Sequence, residues 1–136
     1  MPHFILEYTD NLGPEADIKG LLAKVNQVLM AQDGVYPTGG IRSRAIKLTE
    51  YSVADGKADD AFVHGTLKIG AGRSEAVKKR TCDALFDMIK AHFAALFAKR
   101  NLALSMELYE FDEGGTYKHN NIHARFRKTE KVKASA

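Results

Sequence analysis

Apolar residues recur along this chain in two rounds that share one succession of spacings. FILEY (Phe4 to Tyr8) is a nearly continuous apolar run, which predicts a short strand buried on both faces. TDNLGPEAD supplies turn residues and helix caps. Ile18, Leu21, Leu22, Val25, Val28 and Leu29 then recur at spacings that predict a helix with one apolar stripe. DGVYPTGG breaks that helix, and IRSRAIKLTEY reads as a second strand. In the second round DDAFVHGTLKIG sets Val63, Leu67 and Ile69 on one face and His64, Thr66 and Lys68 on the other. AGRSEA turns into a long helix, with Ser74 as its N-cap. The stripe of that helix includes Val77, Leu85, Ile89, His92, Phe93 and Leu96. ALSMELYEF closes the round as a strand with Leu104, Met106 and Leu108 on one face.

Strand, helix, strand, repeated once, predicts an α+β (α/β) fold built from two tandem βαβ units, roughly residues 1–58 and 59–127. Each unit joins parallel strands, so the two halves make one four-stranded sheet. Both helices have a single apolar face and are expected to cover the same side of that sheet. The other side, with residues such as Phe4, Leu6 and Leu67, is then left bare, and a bare sheet face favours oligomers.

Composition narrows the function classes. The 136 residues, 45% hydrophobic and 27% charged, suit one globular domain. A single cysteine, Cys82, excludes an internal disulfide and falls within a helix pattern, so a buried structural thiol is expected. No apolar run is long enough for a membrane span, and the first residues lack the basic start and apolar core of a signal peptide. A cytoplasmic location is the expectation. The net charge of +3 is concentrated in RFRKTEKVKASA, where five cations face Glu130 alone, so the body is close to neutral. Such a tail, 128–136, is expected to be a poorly ordered solubilising end, and nucleic acid is not expected as a partner.

Arginine is the prominent polar element. Arg42 and Arg44 are two apart in a predicted strand, so both side chains point to one side. Arg73, in GAGRS, lies between a strand end and a helix start, where a guanidinium beside free N–H groups suits a carboxylate. Isolated arginines also mark solvated faces and surface ion pairs; three without obvious acidic partners favour an anionic ligand. His119 and His123 in YKHNNIHARF are spaced for a helical metal pair, but no helix pattern or third ligand accompanies them, so no metal is expected. GAGR lacks the glycines and lysine of a phosphate loop.

Pro2 stands directly behind Met1 and opens an apolar strand. By itself this is a tolerated strand-start proline. Together with MPHF, GIRSR at 40–44, AFVH and TLKIGAGRS within 61–74, IKAHFAAL at 89–96 and NNIHARF at 120–126, it makes nearly the whole chain, up to Arg127, resemble the 5-carboxymethyl-2-hydroxymuconate isomerases. That family belongs to the tautomerase superfamily, whose members use an amino-terminal proline. The resemblance implies two βαβ halves, a homotrimer packed through sheets, and no cofactor. It implies an isomerase that ketonises a dienol carrying three carboxylates, in bacterial homoprotocatechuate (4-hydroxyphenylacetate) breakdown. Pro2, exposed after removal of Met1, matches the catalytic proline, and Arg73 matches a loop arginine that holds a substrate carboxylate. Arg42 or Arg44 matches a second substrate arginine, with Arg42 favoured, since a shift of register exchanges them. Two alternatives stand beside this: another proline-dependent tautomerase, of the 2-hydroxymuconate or phenylpyruvate type, or a non-catalytic interaction protein of the same fold.

The amine chemistry is direct. An α-amino group has a reference pKa of about 7.7–8.0, and a secondary amine is intrinsically more basic. An apolar strand end and nearby arginines both disfavour its charged form, which prepares it as a base near neutral pH.

Overall fold

A computed structural model describes residues 1–127; the tail at 128–136 lies outside the described residues. Four strands, β1 (His3–Thr9), β2 (Arg42–Leu48), β3 (Ala61–Gly70) and β4 (Leu102–Phe111), form a single sheet in the order β2-β1-β3-β4. β1 runs parallel to β2 and β3 parallel to β4, while β1 and β3 meet antiparallel at the centre. Each half is therefore a parallel pair with a helical crossover: α1 (Ile18–Met30) in the first, α2 (Glu75–His92) and α3 (Ala94–Lys99) in the second.

Local chemistry starts both long helices. Asp17 accepts a hydrogen bond from Gly20 N at 3.2 Å to cap α1, and Ser74 Oγ accepts from Val77 N at 3.2 Å to cap α2. The helical stripe expected to run unbroken to Leu96 is interrupted at Phe93, which closes α2 and opens α3. Ile89, Phe93 and Leu96 are all buried, so the apolar rhythm continues through the break.

Both helices cover one face, as their single stripes demand. Phe4, Leu6 and Leu67, expected on the uncovered side, are instead fully buried with Leu21, Val25, Leu85 and Ile89. Directly paired residues share a face, and the pairs Phe4↔Leu67, Leu6↔Gly65 and Gly65↔Met106 put the core on the helical side. Gly65 is required there: a Cβ would lie 2.6 Å from Phe4 Cζ. The uncovered face is more polar than expected, carrying His3, Ile5 and Glu7 from β1, Arg44 and Ile46 from β2, and His64, Thr66 and Lys68 from β3. On it His64 bridges Ser105 Oγ (2.7 Å) and Glu107 Oε1 (3.1 Å) across β3 and β4. Cys82 is half-buried against the core, and burial raises its thiol pKa. Among the described residues, no helix is long and apolar enough to cross a membrane.

Candidate functional site

The mixed sheet brings four strand ends to one edge. His3 pairs with Arg42 at the starts of β1 and β2, with Lys68 near the end of β3, and Gly70 pairs with Phe111 at the end of β4. Pro2 therefore sits, buried, at the head of a central strand, and its carbonyl accepts a hydrogen bond from Arg42 N at 3.1 Å. The loop before β2 and the turn into α2 flank the same edge.

Each predicted arginine reaches this edge by a different route. Arg42 is half-buried, and its guanidinium contacts the Met1 sulfur. Arg44 is exposed on the uncovered sheet face, with Nη1 at 3.2 Å from His3 Nδ1. Arg73 is half-buried; Nη1 donates to Gly70 O at 2.9 Å and Nη2 to Val35 O at 3.3 Å. Its guanidinium stacks over Tyr36, 4.8 Å from the ring centroid. The Tyr36 ring is itself held, because its hydroxyl donates to Thr81 Oγ1 at 2.9 Å inside the core. Two of the five guanidinium N–H groups are occupied this way, and the positive charge is fixed beside the amino terminus.

Electrostatics at this edge are one-sided. Burial lowers the pKa of the Met1 amino group first, followed by the charges of Lys118, Arg73 and Arg42, with Glu113 opposing them. Burial also lowers the pKa of His3, reinforced by Arg44 and Arg42. Among the described residues, none of Arg42, Arg44, Lys68 and Arg73 is ion-paired with a carboxylate. The opposite edge is acidic and already bonded: Asp59 and Asp60 are held by Asn11, Arg100 and Asn101, and Asp10 by Tyr51.

Sequence reasoning missed Lys118 and Glu113, and weighed His123 only as a metal ligand. All three belong to the segment after β4, which folds back over the amino-terminal edge. Asn120 Nδ2 donates to Gly39 O at 3.0 Å, and His123 packs so closely that a Cβ on Gly39 would lie 2.7 Å from its Nδ1 and 2.8 Å from its backbone. Gly39 can only be glycine while this segment is seated. The available signal was the glycine pair at 39–40 beside a polar stretch, DEGGTYKHNN, that carries no core period. Among the described residues, no group of three or more His, Cys, Asp or Glu side chains is placed to share a metal ion.

Comparison with known proteins agrees with this architecture. The family described as 5-carboxymethyl-2-hydroxymuconate isomerase matches residues 2–126. The 5-carboxymethyl-2-hydroxymuconate Delta-isomerase of Escherichia coli is 50% identical over 127 residues, covering 93% of this chain and 100% of that protein. The crystal structure of a 5-carboxymethyl-2-hydroxymuconate isomerase from Deinococcus radiodurans R1 is 60% identical, with a TM-score of 0.89 over 93% of this chain and 94% of that one. A fused 4-OT at 16% identity and TM-score 0.59, covering 90% of this chain and 98% of that one, shares the fold alone. Matched along nearly all its length by family, sequence and structure, this chain belongs to the 5-carboxymethyl-2-hydroxymuconate isomerase family.

Proposed function

We propose that this protein is an isomerase that ketonises 5-carboxymethyl-2-hydroxymuconate, with the amine of Pro2 as general base and acid once Met1 is removed. The amine takes the proton of the 2-hydroxyl. Electrons of the O–H bond form the C2 carbonyl, the C2=C3 pair moves to C3–C4, and the C4=C5 pair takes the proton back from the ammonium at C5. No electrons leave the substrate and no cofactor enters. The product is the conjugated 2-oxo-3-ene acid, and the setting is homoprotocatechuate catabolism in the cytoplasm.

One observation carries this reading: the head of β1 sits beside Arg42 and Arg73, which among the described residues have no carboxylate partner, and the Met1 amino group one residue away already has its pKa lowered by burial and by these charges with Lys118. Arg42 and Arg73 hold substrate carboxylates beside the amine, and Arg44 lies one strand pair further along the uncovered face. Met1 must go for two reasons. While it remains, Pro2 nitrogen is an amide without basicity, and the Met1 side chain stands against the Arg42 guanidinium. The relatives named above supply the substrate class. Assembly into a homotrimer is part of this reading, as the family resemblance implies.

The test is an ultraviolet assay with 5-carboxymethyl-2-hydroxymuconate beside 2-hydroxymuconate and phenylpyruvate, on protein whose intact mass shows Met1 removed. Preference for the first substrate is the expected result. Preference for either competitor would move the assignment to another tautomerase, and no turnover of any would leave an interaction protein of this fold. Sedimentation in the analytical ultracentrifuge reads the trimer.

A further inference from the structure

Beside the amino-terminal edge, the uncovered sheet face holds a hollow of about 250 Å³ lined by His3, Arg44, Lys68, Phe111 and Thr116. Its cations are brought together by register. Lys68 lies directly across from His3 in the antiparallel pair, Arg42 directly beside His3 in the parallel pair, and Arg44 two residues beyond Arg42. Arg44 and Lys68 are both exposed. Among the described residues, neither is ion-paired with a carboxylate.

The remaining lining residues make this more than two surface charges. His3 Nδ1 lies 3.2 Å from Arg44 Nη1, and burial together with Arg44 and Arg42 disfavours the imidazolium. A neutral His3 accepts from Arg44 and aims its guanidinium instead of repelling it. Phe111 stands edge-on to His3, with ring centroids 6.5 Å apart, and supplies an apolar wall. Thr116 donates its hydroxyl to Asp112 O at 2.9 Å, which fixes the rim. The result is a short apolar wall ending at one forked and one compact cation. That shape takes a methylene carrying a carboxylate.

We propose that this hollow is a second anion subsite, which takes the extra carboxylate of a tricarboxylic substrate and thereby separates it from the dicarboxylic counterpart that lacks the carboxymethyl arm. Arg42 and Arg44, two apart on one strand, project roughly 7 Å from each other, so the two subsites are neighbours rather than one. Arg42 with Arg73 serves the end near the amine, and Arg44 with Lys68 serves the arm. Both arginines of GIRSR then have a use, and the choice between them becomes a division of work. The inference rests on the function proposed above and adds the residues that set its specificity.

The test is the double variant Arg44→Gln/Lys68→Gln, assayed with 5-carboxymethyl-2-hydroxymuconate and with 2-hydroxymuconate. For the tricarboxylate, kcat/KM should fall by about ten- to a hundredfold, mostly through KM, on the scale of a lost charge-assisted contact. For the dicarboxylate it should move by roughly threefold or less, as for distant surface charges. A parallel fall for both substrates would overturn the proposal, and so would unchanged kinetics for both. If the double variant loses its assembly, the single variants are read instead, and the same ratio decides. The underlying reading fails separately: full turnover by Pro2→Ala would refute the proline mechanism and leave the ratio between substrates intact.

Discussion

The function proposed above gives Arg73 a second duty beside a structural one, and one substitution can separate the two. Its guanidinium bridges Gly70 O and Val35 O, tying the β3–α2 turn to the loop before β2, and it stacks on the fixed ring of Tyr36. Two hydrogen bonds from a charged donor contribute about 1 kcal/mol each after discounting for partial solvent access. The stacked cation adds about 0.5–1 kcal/mol. Arg73→Ala should therefore cost about 2–3 kcal/mol, which lowers Tm by about ten degrees in a domain of this size. It should also weaken kcat/KM by a few kcal/mol, through loss of the cation proposed to hold a substrate carboxylate. The pH profile gives an independent reading. Arg73 is among the charges that lower the pKa of the Met1 amino group, and the Pro2 amine left after Met1 removal lies one residue away, so loss of Arg73 should let its ammonium persist to higher pH. The ascending limb of kcat/KM, which reports the free base, should move upward accordingly. Arg73→Lys keeps the charge without the fork, so it should leave the limb in place while recovering only part of the stability. The assays are differential scanning calorimetry and a kcat/KM profile across pH 5–9. If Arg73→Ala shows an unmoved limb and unchanged kinetics, Arg73 is only a structural tie and the account of the site fails there.

Four further outcomes follow from the geometry. Pro2→Ala should keep the fold and assembly while turnover falls by about a hundred- to ten-thousandfold, the usual contribution of a general base, measured in the same ultraviolet assay. Lys118→Met should move the ascending limb to higher pH, since after burial Lys118 does most to lower the pKa of the Met1 amino group and the Pro2 amine lies one residue away; its exposed pair with Glu113 costs less than about 1 kcal/mol to lose, so Tm should barely change. Gly65→Ala should destabilise the fold by about 1–3 kcal/mol in urea titration, because the added carbon meets the Phe4 ring inside a packed core. The folded-state pKa of His3 lies below its ordinary value, so the unfolded chain takes up this proton first as pH falls. The stability it contributes above about pH 6.5 is then lost as pH drops below that value, and His3→Gln should show a smaller fall in Tm between pH 7.5 and 5.5 than the parent.

What was legible in the chain followed from periodicity. The strands and α1 were readable because one apolar stripe dictates which side is buried, and the parallel pairing within each half follows from the crossovers. The face of the sheet was harder. FILEY looks apolar on both sides, yet Phe4, Leu6 and in part Tyr8 pack into the core, while Ile5 shares the other face with Glu7. The interruption at Phe93 left no mark, since no proline or glycine signals it and the buried rhythm of Ile89, Phe93 and Leu96 runs on. At the site, Arg42 and Arg73 stood out as cations at a strand start and a strand-to-helix turn. Lys118 and His123 did not, because a segment without periodicity reveals its destination only through the place that receives it. That place is the glycine pair ahead of β2.

The two halves of the sheet are alike in topology, but only one of them begins with a chain end. The first strand of the second half starts at Ala61, whose nitrogen is a peptide amide donating to Asn101 O at 3.1 Å, whereas in the first half the donor is Arg42 N of the second strand and Pro2 O accepts. The connection that joins the halves thus turns what would be a second amino terminus into a group with no basicity, and the acidic residues around it repel anions. With Pro2 as the proposed base, catalytic capacity is expected to scale with the number of chains and not with the number of βαβ units. Titration with an amine-directed affinity label should extinguish turnover at one equivalent per chain, and an amino-terminal fusion partner should silence the chain completely while a carboxy-terminal one does not.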